Sequence, residues 1–319
     1  MKKFSLIGVG GYIAPRHLEA IKETNSLLVS ALDPNDSVGV IDNYFPNAFY
    51  FKEFERFDRH VYKISLNKKT KLDYITICSP NYLHDSHIRF ALRSGANAIS
   101  EKPLVLNPWN LDGLIELEKK TGCKVNTILQ LRLHPSIIKL SKKINSMELK
   151  KKLDIDLTYI TSRGNWYGRS WKGDIKKSGG IATNIGIHLF DMLHFIFGEL
   201  KKSKIFLNTD SKQSGFLELE KANIRWFLSI DNEDIPKKIR EKGKTTYRSI
   251  TIDKKEIEFS EGFKNLHIKS YKEILKGNGF GIEDNRAAIE TVSLIRNSTI
   301  SELKGDFHPL IKNIKEFNQ

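Results

Sequence analysis

Lys102, in the stretch "ANAISEKP" (96 to 103), and His188, in "SGGIATNIGIHLFDMLHFIFG" (178 to 198), are side chains that could exchange a proton with an alcohol. Asn184, His188 and Asp191 are spaced i, i+4 and i+7, which predicts one face of a helix. Ile185, Leu189, Met192 and Phe195 are then expected to line an adjoining apolar face. A lone lysine is usually a surface residue and a lone helical histidine is usually structural. The flanking glycines and the polar residues at helical spacing shift that balance for His188.

The chain also carries a loop suited to phosphates. "FSLIGVGGYIAPRHLEAI" (4 to 21) opens with Gly8-Val9-Gly10 after a strand-like run and before a helix-like one, the setting of a dinucleotide fingerprint. Ile13 stands where the third glycine belongs. A register one residue longer fits better, with Gly8, Gly11 and Ala14 as the small positions. Pro15 is then expected at the first helical position, and Ile13 in the loop, able to point over the cofactor. Asp33 ends the second strand, where a carboxylate can accept both ribose hydroxyls and repel a 2′-phosphate, so NAD is favoured over NADP. A lysine beside the positive nicotinamide loses its proton more readily, which is the chemistry expected of Lys102.

The elements that must hold these groups alternate strand and helix through the first part of the chain. "KFSLIGV", "SLLVSALD", "LDYITICS", "ANAISEKP" and "CKVNTILQL" are near-continuous apolar strands with helical patterns between them. They predict a doubly wound, mostly parallel sheet covered on both faces, over residues 1–130. Ser79, Asn81 and His84 follow one strand and Glu101 and Lys102 another, at the edge where such sheets place ligands. Past about residue 150, "LDIDLTYIT" and "ANIRWFLSI" alternate apolar and polar residues, as in an antiparallel sheet with one buried face. Residues 131–319 are therefore expected to form an α+β domain, with helices near 181–197, 266–276 and 282–299. "DIKKSGG" is expected to be a loop, and the polar 231–249 segment a mobile or intersubunit loop.

Hydrophobic residues make up 39% and charged residues 28% of the 319, fitting a globular protein of about two domains. No run of 18 or more apolar residues occurs, so no membrane span is expected. "MKKFSLIGVGG" lacks a small-residue cleavage site and reads as a first strand, with a cytoplasmic product expected. Cys78 and Cys123 suggest neither a disulfide framework nor a metal site. The net charge of +14 comes from lysines scattered along the whole chain. That argues against nucleic acid and favours an anionic small substrate.

Taken together, "GVGG" with His17, "SPNYLH", "EKP" and the Gly-Gly-x4-Asn-x-Gly-x-His-x2-Asp run resemble the Gfo/Idh/MocA oxidoreductase family over essentially the whole chain. The resemblance implies an N-terminal Rossmann domain and a C-terminal domain built on a large open antiparallel sheet. It also implies Lys102 and His188 as the catalytic pair. "GGYIAPRH", "DPNDSVG", "EKPLVLNPWN", "LQLRLHP" and "GNWYGRSWKGD" further resemble the WlbA/WbpB-type branch, which oxidises C3 of UDP-N-acetyl-2-amino-2-deoxyglucuronate in surface-polysaccharide (O-antigen) biosynthesis. Ile13 and Asn184, the latter an aspartate in many family members, suit that branch, although Asn184 cannot act as a base.

On this resemblance the cofactor is NAD, held by Gly8, Gly10, Gly11, Tyr12, Ile13, Asp33, Asp36 and Ser37, with Ser79, Asn81, His84, Glu101, Lys102 and Gln130 at the rim. Trp166 and Tyr167 either pack on nicotinamide or sugar or simply pack the sheet. A sugar nucleotide with a carboxylate and a diphosphate calls for Arg132, Arg163, Asn165, Arg169, Lys172, Ser178 and Asn184 around it, with Lys102 and His188 at the reacting carbon. Which of the pair takes the proton is open. A homotetramer is implied, and NADH is either released or reoxidised in place by 2-oxoglutarate. The alternatives are a sister enzyme acting on another sugar or a polyol such as inositol, and a non-catalytic NAD-binding regulator.

Overall fold

The computed structural model describes residues 1–252, 255–258 and 265–313. In chain order the elements are β1 (Lys3–Ile7), α1 (Ala14–Glu23), β2 (Leu27–Leu32), β3 (Phe49–Phe51), α2 (Phe54–Ser65), β4 (Tyr74–Ile77), α3 (His84–Arg93), β5 (Asn97–Ser100), α4 (Trp109–Thr121) and β6 (Val125–Thr127). There follow α5 (Pro135–Asn145), β7 (Leu153–Thr161), α6 (Trp166–Arg169), α7 (Ile175–Ser178), α8 (Ile187–Phe197), β8 (Leu200–Asn208), β9 (Lys212–Leu219) and β10 (Ala222–Ser229). The last are α9 (Lys237–Arg240), β11 (Thr246–Ile252), β12 (Lys255–Glu258), α10 (Leu266–Leu275) and α11 (Glu283–Asn297).

The chain divides into two compact units, Met1–Gln130 with Asn265–Arg286, and Leu131–Lys264 with Ala287–Gln319. The sequence expectation assigned all of 131–319 to the second. The return of Asn265–Arg286 to the first has a packing cause: Tyr271 and Ile274 of α10 are buried in the same apolar cluster as Phe4, Leu18 and Ile21. Nothing in the local pattern of α10 announces which core its apolar face joins.

In the first unit the sheet runs β3-β2-β1-β4-β5-β6, every pair parallel. This is the dinucleotide-binding order, with its reversal between β1 and β4. The strands are apolar on both faces because helices cover both. Helix α1 buries Ala14, His17, Leu18 and Ile21 at helical spacing, and Gly122 ends α4 in the left-handed conformation at φ 71°. Gly8, Asp33, Ser79 and Glu101 thus follow the ends of the adjacent strands β1, β2, β4 and β5, at the carboxyl edge of the sheet.

The second unit holds a sheet of order β12-β11-β7-β10-β9-β8. The expected period-two face is present: Ile155, Leu157, Ile224, Trp226 and Leu228 are buried. The expectation of an antiparallel sheet needs one correction, since β7 and β10 pair in parallel, Leu157 opposite Trp226. The remaining pairs are antiparallel. Alternation reports a half-buried strand and is silent on its neighbour's direction, which is why the two most regular strands misled. Their other face is covered at one end, where Ile160 and Phe227 meet Ile235 and Ile311.

Within the stretch Ile175–Phe197 an 18-residue window reaches a mean hydropathy of 1.3, but 78% of it is buried inside the protein, the setting of a core helix. "DIKKSGG" is a helical turn, not a loop: Asp174 Oδ1 caps α7 by accepting from Lys176 N at 2.9 Å. The 231–249 segment likewise contains a 3-10 turn at Asn232–Asp234, α9 and the start of β11.

Candidate functional site

The cofactor loop is set by three backbone bonds. Gly8 N donates to Leu32 O at 2.7 Å, Gly11 N to Gly8 O at 3.1 Å, and Ala14 N to Gly11 O at 3.0 Å. Gly8 has φ +89°, and a Cβ there would lie 2.6 Å from the Cys78 carbonyl carbon, so the position needs glycine twice over. Asp33 draws the loop to the end of β2, its Oδ2 accepting from Gly10 N and its Oδ1 from Asn35 N, both at 2.9 Å. The shape fits a dinucleotide: a backbone that a side chain would fill, a helix N-terminus beyond it, and a carboxylate at the next strand end.

Two details correct the loop expectation. Helix α1 begins at Ala14, so Pro15 is its second residue. Ile13, expected within the loop, is the N-cap and packs half-buried against the core of the first unit. Ala14 is fully buried and makes the close helix-to-strand approach expected of it. Tyr12 is 91% exposed at the loop tip. Asp36 and Ser37 are exposed beyond Asp33, with Lys52 Nζ 3.8 Å from Asp36.

At the ends of β4, β5 and β6, Ser79, Asn81 and Gln130 are buried and Lys102 half-buried. His84, expected among the cofactor contacts, joins two loops through its ring. Nδ1 lies 2.7 Å from Pro103 O and Nε2 2.8 Å from Ser79 O. Burial lowers its pKa, and the two carbonyls oppose that. Ser79 Oγ is 2.9 Å from Nδ1 of His87, which burial pushes down to about 4. The Glu101 carboxylate also turns inward, accepting from His17 Nε2 at 2.9 Å and His267 Nε2 at 3.0 Å. Both side chains thus have partners inside the protein that fix the rim's loops. Sequence reasoning gave no role to His17 and passed over His267 and Tyr271. The signal for His17 was a polar residue inside the apolar stripe of α1.

In the second unit, Ala182–Gly186 forms a π-helical turn that runs into α8, a feature common at functional sites. The wider turn departs from the simple i, i+4, i+7 face. Asn184 Nδ2 donates to Tyr167 OH at 2.7 Å, while the buried Asp191 pairs with Arg132 Nη2 at 2.7 Å. His188 is half-buried one residue into α8. Phe195, expected in the apolar face, is 37% exposed and lies under the Arg132 guanidinium at 5.4 Å. Ser178 is fully buried, its Oγ donating to Asp174 O at 2.9 Å and accepting from Gly180 N at 3.1 Å. Ser178, expected among the substrate contacts, thus closes the α7 turn.

The remaining candidates gather around α6. Arg163, Asn165 and Arg169 are exposed. Trp166 is 54% exposed with Tyr167 buried behind it, and Lys172 Nζ lies 5.6 Å from the Trp166 ring and 4.3 Å from that of Trp171. An aromatic platform with cations and an amide beside it can receive an anionic, polyhydroxylated ligand.

Comparison with known proteins agrees with these halves. Residues 2–128 match the family described as "Oxidoreductase family, NAD-binding Rossmann fold" and residues 142–235 match its C-terminal alpha/beta domain. Among curated proteins, glucose-6-phosphate 3-dehydrogenase of Bacillus subtilis (strain 168) is 25% identical over 222 residues, 67% of this chain and 60% of that protein. Inositol 2-dehydrogenase of Rhizobium meliloti (strain 1021) is 28% identical over 128 residues, 40% of this chain and 37% of that protein. The chain thus spans less than two thirds of the length of these relatives. The WlbA (WbpB) dehydrogenase of Thermus thermophilus, solved in complex with NAD and UDP-GlcNAcA, is 47% identical with a TM-score of 0.93, over 97% of this chain and 100% of that one. The same dehydrogenase with NAD and alpha-ketoglutarate is 48% identical with a TM-score of 0.94, at the same coverage. With a Rossmann order of strands, a glycine-led loop aimed at Asp33 and both family domains matched in sequence, the chain belongs to the GFO_IDH_MocA family of NAD-binding oxidoreductases.

Proposed function

We propose that the protein oxidises the C3 hydroxyl of UDP-GlcNAcA to the ketone. The observation that carries this reading is the full-length likeness, at 47% identity, to a dehydrogenase solved with NAD and UDP-GlcNAcA. Bound NAD supplies the hydride acceptor. His188 takes the hydroxyl proton while Lys102 orients that oxygen and stabilises its developing negative charge, a division of roles that the variants below can reverse. Asp33 holds the adenosine ribose. Arg163, Asn165, Arg169 and Lys172 offer donors to the carboxylate and diphosphate, and Asn184, tied to Tyr167, offers a fixed amide. The likeness to the alpha-ketoglutarate complex supports reoxidation of NADH by that 2-oxoacid. The resemblance also suggests a cytoplasmic homotetramer, which light scattering on the purified protein measures.

The test is incubation with UDP-GlcNAcA and NAD, with and without 2-oxoglutarate, following absorbance at 340 nm and the mass of the sugar. A sugar two mass units lighter is expected, and no such product under either condition overturns the assignment. Lys102→Met and His188→Ala should each lower kcat by ~10²- to 10⁴-fold with NAD still bound. A pH profile that loses one limb in only one of them identifies the proton acceptor.

A further inference from the structure

The inner end of β5 carries a chain of polar groups buried in the first unit. His17 and His267 both present Nε2 to the same Glu101 oxygen, at 2.9 and 3.0 Å. His17 Nδ1 lies 2.9 Å from the Tyr271 hydroxyl, which lies 2.9 Å from Thr76 Oγ1. All five residues are buried. One order of protons satisfies them. A carboxylate has no proton to give, so both imidazoles donate from Nε2. Burial keeps His17 neutral, so its Nδ1 accepts, Tyr271 donates to it, and Thr76 donates to Tyr271. Burial opposes the charge on Glu101, but the two histidine donors outweigh it and hold the carboxyl well below the usual range. The other carboxylate oxygen accepts from the Lys102 backbone N–H at 3.2 Å.

We propose that Thr76, Tyr271, His17 and His267 are positioning residues that hold Glu101 as an oriented buried anion, and that this anion fixes the backbone of Lys102 at the rim of the cofactor site. The proposal rests on the reading of Lys102 given above. A buried carboxylate without strong donors would take up a proton or turn outward. With two donors on one oxygen its remaining freedom is small, and the other oxygen is aimed at the residue that must be placed. Two elements distant in sequence, α1 and α10, converge on that one carboxylate, and β4 reaches it through Thr76, Tyr271 and His17. His17, Glu101 and His267 could also surround a metal ion, since their ligand atoms lie within 4.8 Å of one another. The complete proton order makes the ion unnecessary.

The test compares His267→Gln, which keeps an N–H donor, with His267→Met, which removes it at similar bulk. Each is made in the wild-type and Lys102→Met backgrounds of the full-length protein. In the wild-type background His267→Met should lower kcat by about 10- to 100-fold, the effect of misplacing a reacting group by about 1 Å. The dissociation constant for NAD should stay within about threefold, and His267→Gln should restore most of kcat. In the Lys102→Met background His267→Met should change the residual rate by less than about twofold, because the two act in series. Where His267→Met does not fold, Tyr271→Phe replaces it with the same expectations. The proposal is overturned if only the melting temperature falls, if the loss persists undiminished in the Lys102→Met background, or if metal analysis finds one equivalent of zinc per chain. Near-normal turnover in Lys102→Met alone instead overturns the reading of Lys102.

Discussion

Replacing Asp33 by alanine should separate the carboxylate's hold on the loop from its hold on the cofactor. The Asp33 carboxylate accepts from Gly10 N and Asn35 N at 2.9 Å and from Asn35 Nδ2 at 3.2 Å. Gly10 is exposed, so water can replace the carboxylate there. The cost in stability should therefore be near the low end for a lost charged acceptor, about 1–2 kcal/mol. The ribose loses a charge-assisted bond of about 1.5–3 kcal/mol, a 10- to 100-fold weaker affinity for NAD at about 1.4 kcal/mol per decade. NADP gains by the removal of a repelling charge, so the ratio of the two affinities should move further than the affinity for NAD alone. Calorimetric titration with each dinucleotide, beside urea unfolding, measures both parts. A variant that binds NAD within about threefold of wild type and NADP no better would refute the placing of the ribose at Asp33.

Three further outcomes follow from other sites. Gly8→Ala, with φ +89° and a Cβ 2.6 Å from backbone, should destabilise the protein by about 3 kcal/mol and abolish NAD binding in whatever fraction folds, as read by calorimetry. Asp191→Leu removes a carboxylate partner of the mostly buried Arg132 guanidinium and should cost about 3 kcal/mol in urea unfolding. Burial holds His308 at about 4, below its ordinary 6.5. The unfolded chain therefore binds a proton between those values that the folded one does not, and stability is full above pH 6.5 and lost as pH falls to 4. The loss is about 3 kcal/mol, being 2.5 pH units at about 1.4 kcal/mol each. Because His87 is held at about 4 as well, His308→Gln should make the pH dependence of the unfolding midpoint shallower over that window without abolishing it, and an unchanged slope contradicts the assignment.

Where chemistry and local pattern coincide, the sequence was readable. The glycine loop, Asp33 at a strand end, the Ser79 and Glu101 turns and the Gly122 cap depend on short-range sterics, and each lies where its residue type requires. Long-range choices were not readable. The parallel pairing of β7 with β10 leaves no mark on their alternation, and α10 joins the first unit through Tyr271 and Ile274, whose spacing would suit either core. Within the candidate site, the internal partners of the polar residues were not readable. Glu101, His84 and Ser178 belong to motifs and each has partners inside the protein, those of Glu101, His17 and His267, lying far away in sequence. The π turn before His188 left no signal either, since its residues fit an α-helix equally well.

The measurement that bears most directly on the proposed reaction is isotope transfer from UDP-GlcNAcA deuterated at C3. Incubated with NAD, the protein should deliver the label to the nicotinamide ring, giving NADH one mass unit heavier. With 2-oxoglutarate present, the label should pass on to C2 of 2-hydroxyglutarate. Unlabelled NADH formed alongside an oxidised sugar that keeps its deuterium would contradict oxidation at C3, and with it the account of Lys102 and His188.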